Sequence, residues 1–475
     1  MTIEAEDVVF RKPITITDTG VNGGRKGRVA VVHAARHNLF PRVTLAERTA
    51  GVTRYRKEFW TDENADDESA FNPMVFLEFP SNGGDRFALA LGTKEDTQSD
   101  ITTTSPAWIG CGSLNGALSG GETSIDVLLE ADDMVFQPGG YLHIANKIQL
   151  SQTIGSGVNI GDSVEEVTGT WIKIANTPDI EYPKGIYLGS NSVLSEKAGY
   201  TEEFLQLEEN KTEDEVIGAG DGASATPTLS SLAAVTNGVF AFPGFEAVVS
   251  TLDVGDNPLT VTIGSDGVCT GDCSAGELNL DTGAWTTQIT WSAIPKNLED
   301  IVITYYDKNF SFVGNVATVA LAGPVANAYA TNNTIVSGVI EGDAEVLAET
   351  LDFTVNSVGG TYDDTSYPIV LRNDGVEEDT FTITFLTPTT FTVAGLYAGS
   401  LGTGDVASDL APLNPDSGES YFELDKDGWG GSFLAGDTVV FRTTPAAIPI
   451  WWREIVPAAT PAEPTNIAIL GWYAE

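Results

Sequence analysis

Residues 380–385 read Thr-Phe-Thr-Ile-Thr-Phe. Alternation at period two puts Phe381, Ile383 and Phe385 on one side of an extended chain and the threonines on the other, as in a strand with one face in a core and one in water. Two later stretches supply further strands: Thr-Val-Val-Phe-Arg-Thr-Thr at 438–444 and Ile-Ala-Ile-Leu-Gly-Trp-Tyr at 467–473. Their spacing predicts a β-sandwich over 331–475.

The same grammar extends toward the amino terminus. With 50 glycines and 22 prolines among 475 residues, and threonine and valine frequent between them, the chain favours many short strands over long helices. Residues 276–291, GELNLDTGAWTTQITW, predict a hairpin around Asp281-Thr282-Gly283, and 301–307 predict a third strand of the same module. Short strands are expected at 125–129, 141–144, 171–174, 185–188 and 204–207, followed by a linker over the acidic, small-residue run 209–230. Residues 75–79 and 87–91 flank SNGGD and predict another hairpin. The best helix signal lies in 44–60, where Thr44 caps and Glu47 follows three residues later, with Gly51 weakening it. Residues 1–40 read as strand or extended arm.

The expected fold class is therefore all-β: several β-sandwich or barrel modules with a short N-terminal helix and an extended arm. A chain of this length exceeds what one core usually organises. The expected divisions are 1–110, a basic arm with a β/helix region; 111–220, a small β module; 221–315, a β module with the character of an insertion; and 316–475, the C-terminal sandwich.

The formal net charge is −43, unevenly divided. Residues 1–60 hold eleven Lys/Arg against six Asp/Glu, whereas the remainder hold thirteen against 61. So acidic a body repels nucleic acid and anionic lipid, so neither direct nucleic-acid binding nor membrane insertion is expected. Two readings of the basic segment stand: it lies on an acidic surface of its own body or of a neighbour, with Arg42, Arg48, Arg54 and Arg56 in charge-assisted contacts, or its arginines are solvated on an ordinary domain. An acidic proteome would also account for the bulk charge. The start, MTIEAEDVVF, lacks the basic and apolar stretches of a secretory signal, and the weakly polar run 316–330 is broken by Gly323-Pro324, short of a span of about 20 residues. A soluble protein made in the cytoplasm is expected.

Catalytic signatures are missing from the sequence. It has no phosphate loop, no G-x-S-x-G elbow and no H-E-x-x-H motif. Gly155-Ser156-Gly157 with Gly161 has the wrong spacing for a dinucleotide loop and reads as a surface turn. His33 and His37 stand four apart in a strand-like context, which favours packing or surface roles over a metal. Cys269 and Cys273 read as a local bridge or two free thiols, and Asp425-Lys426-Asp427-Gly428 reads as a turn, since it lacks the glutamate of a calcium loop. No cofactor is expected. Trp451 and Trp452 are adjacent, so on a regular strand they face opposite ways, and one of them is expected to leave the core for solvent or another chain.

Three phrases carry a resemblance: NGGRKG at 22–27, HNLFPRVTLAERTAGVTRYRKEF at 37–59 and GWGGSFLAGDTVVFRTTPAAIPIWWREIVPA at 428–458. They resemble a family of tailed-phage structural proteins found among tail genes, including those of Mu-like phages. The resemblance covers a minority of the chain and implies an assembly role with no active site. The implied setting is a virion assembled in the bacterial cytoplasm, in the tail, collar or baseplate, with copies of itself and other phage virion proteins as partners. The alternatives are a receptor-binding fibre or head-decoration protein and, more remotely, a carbohydrate-active enzyme.

Overall fold

Two strands from opposite ends of the sequence, Val52–Asp62 and Ala447–Val456, pair antiparallel over ten residues, from Val52 opposite Val456 to Thr61 opposite Ala447. Around them a computed structural model assembles a five-stranded sheet in the order Gly23–Ala30, Val8–Thr15, Val52–Asp62, Ala447–Val456, Arg86–Leu91. The structure describes residues 7–31, 38–79, 81, 84–131, 133–146, 164–167, 172–174, 201–233, 235–331, 334–462 and 468–474. His33, His37, the glycines at 155–157 and 161, and the strand expected at 185–188 lie outside the described residues.

A nine-stranded sheet forms the second layer of this body. Its main path runs Glu202–Gln206, Tyr141–Asn146, Thr334–Glu341, Cys111–Leu114, Ser124–Leu129, Val316–Ala320, Phe310–Val313. Met74–Phe79 joins it through Thr334–Glu341 and carries Ile469–Tyr473 on its other edge. The two layers share one core that includes Trp60, Leu77, Phe136, Ile144, Val336 and Ile450. All four segments expected to fold separately contribute strands to this one sheet.

Two sandwiches are inserted into the body, each with its own core. Between Glu202–Gln206 and Phe310–Val313 the chain builds a six-stranded sheet, faced by the hairpin Cys273–Asn279 with Ala284–Trp291, around Val249, Val261, Ile289, Ile303 and Tyr305. The hairpin turn falls where the sequence placed it. The 300–307 strand, however, pairs with Lys211–Ala219 and Ala247–Leu252 rather than with the hairpin, and the expected linker at 209–230 holds the 211–219 strand. The second insert lies between Thr334–Glu341 and Ala447–Val456. Its five-stranded sheet runs Glu349–Asn356, Thr438–Thr444, Asp379–Phe385, Thr390–Gly395, Gly399–Asp405. The C-terminal sandwich is thus narrower than expected, because 447–456 and 469–473 return to the body.

Local signals give mixed results. Thr44 and Glu47 form the capping box of helix Leu45–Ala50, but Gly51, at φ 80°, ends it and 52–62 is strand. The SNGGD hairpin does not form. Its flanking strands belong to different sheets, 74–79 to the large one and 86–91 to the small one. Among the described residues the N-terminal segment is strand: Val8–Thr15 pairs both Gly23–Ala30 and Val52–Asp62.

The alternation at 380–385 is realised as drawn: Phe381, Ile383 and Phe385 are buried, and Phe381 packs against Phe422, Tyr421 and Phe441 at ring-centroid distances of 4.7, 5.8 and 5.7 Å. Phe381→Ala should cost about 3–5 kcal/mol in denaturant unfolding of the full chain. A loss under about 1 kcal/mol would show that this face does not organise the sandwich.

Candidate functional site

Arg54, Arg56, Lys57 and Glu58 lie in the 52–62 and 447–456 strand pair, whose two faces are both covered. Adjacent Trp451 and Trp452 do point opposite ways, but neither leaves the protein: they are 0% and 5% exposed. The expectation that one of them meets solvent or another chain is corrected. It assumed a strand with one covered face.

On one face the Trp451 indole fits beneath a cover made by the start of the Gly23–Ala30 strand and the loop that begins at Gly92. A Cβ at Gly23, where φ is 103°, would stand 2.7 Å from Trp451 Cη2, and one at Gly92 would stand 2.7 Å from Cδ1, so only glycine admits the ring there. Trp451 Nε1 donates to Asp96 Oδ2 at 3.0 Å. The other Asp96 oxygen lies 2.6 Å from Lys57 Nζ, which also donates to the carbonyls of Gly24, Thr93 and Asp96 at 2.8–3.1 Å. Lys57 is fully buried, and burial lowers its pKa while Asp96 pulls it back up. Farther along, Arg453 Nη2 donates to Asp133 at 2.7 Å and its guanidinium lies 4.6 Å from the Trp108 ring centroid.

On the opposite face Trp452 packs edge-on against Phe40 and Phe87 and donates from Nε1 to Glu58. Glu58 is buried, and burial pushes its carboxyl up to about 7 even though the indole hydrogen bond lowers it. Arg54 Nε donates to Glu454 Oε2 at 2.6 Å, while Arg56 Nη2 donates to Asp18 at 2.6 Å and Nη1 to the Thr17 carbonyl at 3.1 Å. Both arginines are buried, and their carboxylate partners belong to the same chain. Arg48 is half-buried and reaches the Thr460 carbonyl at 3.4 Å, whereas Arg42 is exposed. Of the six residues expected at an interface, Arg54, Arg56, Trp451 and Trp452 are thus interior, and only Arg42 lies fully at the surface. Lys57, Glu58, Asp96 and Glu454 were not singled out from sequence. The uninterrupted run AIPIWWREIV, buried at nearly every position, was the available signal of a strand covered on both faces.

A second charged set joins the body to the C-terminal sandwich. Arg28 reaches Asp416, Glu377 and the Tyr421 hydroxyl, and the Arg25 guanidinium lies 4.0 Å from the Tyr397 ring centroid. Arg372 bridges Asp67 at 2.6 Å and Glu423 at 3.1 Å, and Asn373 Nδ2 donates to the Glu68 carbonyl. Burial lifts the adjacent Asp62 to about 6, against a hydrogen bond from the Asn64 N–H.

The acidic loops serve as turns. Asp425 accepts from the Asp427 N–H, capping a single turn, and Asp253 accepts from the Gly255 and Asn257 N–H groups. Among the described residues no group of three or more His, Cys, Asp or Glu is arranged to hold a metal ion, and no helix is long and apolar enough to cross a membrane. Cys269 and Cys273 are free thiols, and burial pushes Cys269 up to about 12.

Lys57→Met leaves the largely covered Asp96 carboxylate without its ammonium partner, and should cost about 3–5 kcal/mol in urea unfolding. A loss below about 1 kcal/mol would mean that the pair does not anchor the sheet. Glu58 sets a pH dependence whose sign follows from its raised pKa. The folded state holds the proton more tightly, so the contribution is complete below the unfolded value near 4.5 and is lost as pH rises through about 7. Wild type should therefore lose on the order of 3 kcal/mol between these limits relative to Glu58→Gln. Parallel stability–pH curves for the two proteins would refute the assignment.

No family model, curated protein or solved structure matches the chain, so its functional reading rests on its own residues and geometry.

Proposed function

We propose that the chain is a structural component of a tailed-phage virion, in the tail, collar or baseplate, working by assembly with copies of itself and with other virion proteins. The observation that carries the reading is the way both sandwiches are mounted. Each is inserted between body strands, so both of its chain connections lie at one end, and its opposite end projects. The projecting ends expose aliphatic side chains: Val254 and Leu298 on the first insert, Val358 and Leu434 on the second. Anchored β modules that present aliphatic side chains at their outer ends suit contacts between subunits. Arg54, Arg56 and Lys57 are engaged by carboxylates within the chain, which leaves an exterior dominated by Asp and Glu. That exterior suits protein partners with basic or neutral faces better than nucleic acid or anionic lipid. Of the phrases that resemble phage tail-region proteins, 23–27, 52–59 and 447–456 lie in the body sheet and 428–444 in the second insert.

Labelling purified particles of the phage that encodes the chain with an antibody against it should mark the tail end in electron micrographs. Capsid labelling would favour head decoration, and unlabelled particles would remove the virion role. The purified protein should also show no glycosidase, peptidase or esterase turnover above background. Turnover abolished by one carboxylate or serine substitution would establish an enzyme instead.

A further inference from the structure

The second inserted sandwich meets the body at one end. Its Glu349–Thr444 and Asp379–Thr443 register pairs lie there, beside the Arg28 and Arg372 contacts. At the other end Thr438 stands opposite both Asn356 and Thr384, which gathers the loops 357–359, 386–389 and 432–437 at one pole. Strands of seven residues place this pole roughly 20 Å from the attachments.

Each loop presents one aliphatic side chain to solvent: Val358 is 101% exposed, Leu386 51% and Leu434 62%. The backbone beneath is tied together. Ser357 Oγ donates to Asp437 Oδ2 at 2.6 Å, and the same oxygen accepts from the Leu434 N–H at 2.8 Å. Ser357 Oγ in turn accepts from the Gly360 N–H at 2.8 Å, and the Gly436 N–H donates to the Phe385 carbonyl at 2.8 Å. The three side chains thus stand on a braced platform, with little ordering entropy left to lose on contact.

The pole is nearly without charge on a chain of net charge −43. Residues 353–362, 380–404 and 428–436 contain no Asp, Glu, Lys or Arg. Asp437 is the charged residue within the pole, held by the hydrogen bonds above, and Asp405 stands at its margin opposite Thr390.

We infer that this pole is a contact between two copies of the chain, meeting tip to tip through Val358, Leu386 and Leu434. Two such copies repel through any pair of acidic faces, whereas a charge-poor aliphatic pole matches its own counterpart. The distance of the pole from the bodies exceeds the screening length of about 8 Å at physiological salt, so their mutual repulsion is damped at contact. Three side chains bury far less than the roughly 1,200–2,000 Å² of a stable interface. The contact is therefore weak in isolation and strengthens where copies are held side by side. This deepens the assembly reading and rests on it.

Sedimentation equilibrium of the full chain, at about 0.05 and about 0.5 M NaCl, tests the contact, with folding of each variant checked by its melting curve. Wild type should self-associate, more strongly at the higher salt. Val358→Asp with Leu434→Asp, and separately Val358→Ser with Leu434→Ser, should each weaken association by roughly tenfold or more. Association that survives both double variants would overturn the tip contact and leave assembly through another surface standing. An effect confined to the aspartate variant would also overturn it, as added repulsion rather than lost apolar contact. A wild type monomeric at every concentration and salt would remove the self-association reading itself.

Discussion

The antiparallel pairing of residues 52–62 with 447–456 is the constraint on which the rest of the structure depends. It joins strands about 400 residues apart, so any module inserted between them must leave the body and return to it. Both inserted sandwiches satisfy that condition, since each begins and ends beside body strands. Closing such a loop costs only logarithmically more entropy than closing a short one, which is why inserts of this size are tolerated. The consequence is kinetic: contacts this distant in sequence form late, and folding is expected to be slow.

Polar groups fix the register of this pair as firmly as apolar ones. A slip of one residue exchanges the two faces of a strand. It would move Lys57 away from Asp96 and the Gly24 and Thr93 carbonyls to the side of Phe40 and Phe87, leaving the Asp96 carboxylate without its ammonium. It would equally separate Arg54 from Glu454 and Glu58 from the Trp452 indole. Buried ion pairs add little net stability, because desolvation offsets most of their attraction. Here they penalise the alternatives, and they tie the start of the Gly23–Ala30 strand and the loop at 92–96 to the central strand.

The C-terminal sandwich is joined to the body differently. Its aromatic core around Phe381, Phe385, Phe391 and Phe441 is separate from that of the body, and the contacts across the junction are arginines meeting carboxylates, a tyrosine hydroxyl and an aromatic ring. Partly exposed pairs of this kind weaken as salt rises, while the core inside the module does not. Local chemistry sets the module's own stability, and electrostatics set its seating.

By itself the sequence determined what is local: the strand at 380–385 from its alternation, the helix start at Thr44 from its capping box, the turn at 281–283 and the all-β character. Each of these depends on residues within a few positions of one another. Tertiary structure alone decided the partners. SNGGD carries the residues of a hairpin, yet the strands on either side find stronger partners in two different sheets, because pairing depends on which distant edges are free. Likewise the divergence of Trp451 and Trp452 follows from strand geometry, but whether either side meets water depends on what lies over it. A period-two pattern reports one covered face, and it falls silent when the start of the Gly23–Ala30 strand and the loop at 92–96 cover one side while Phe40 and Phe87 cover the other. For that reason Arg54, Arg56, Trp451 and Trp452, expected at an interface, lie in the interior.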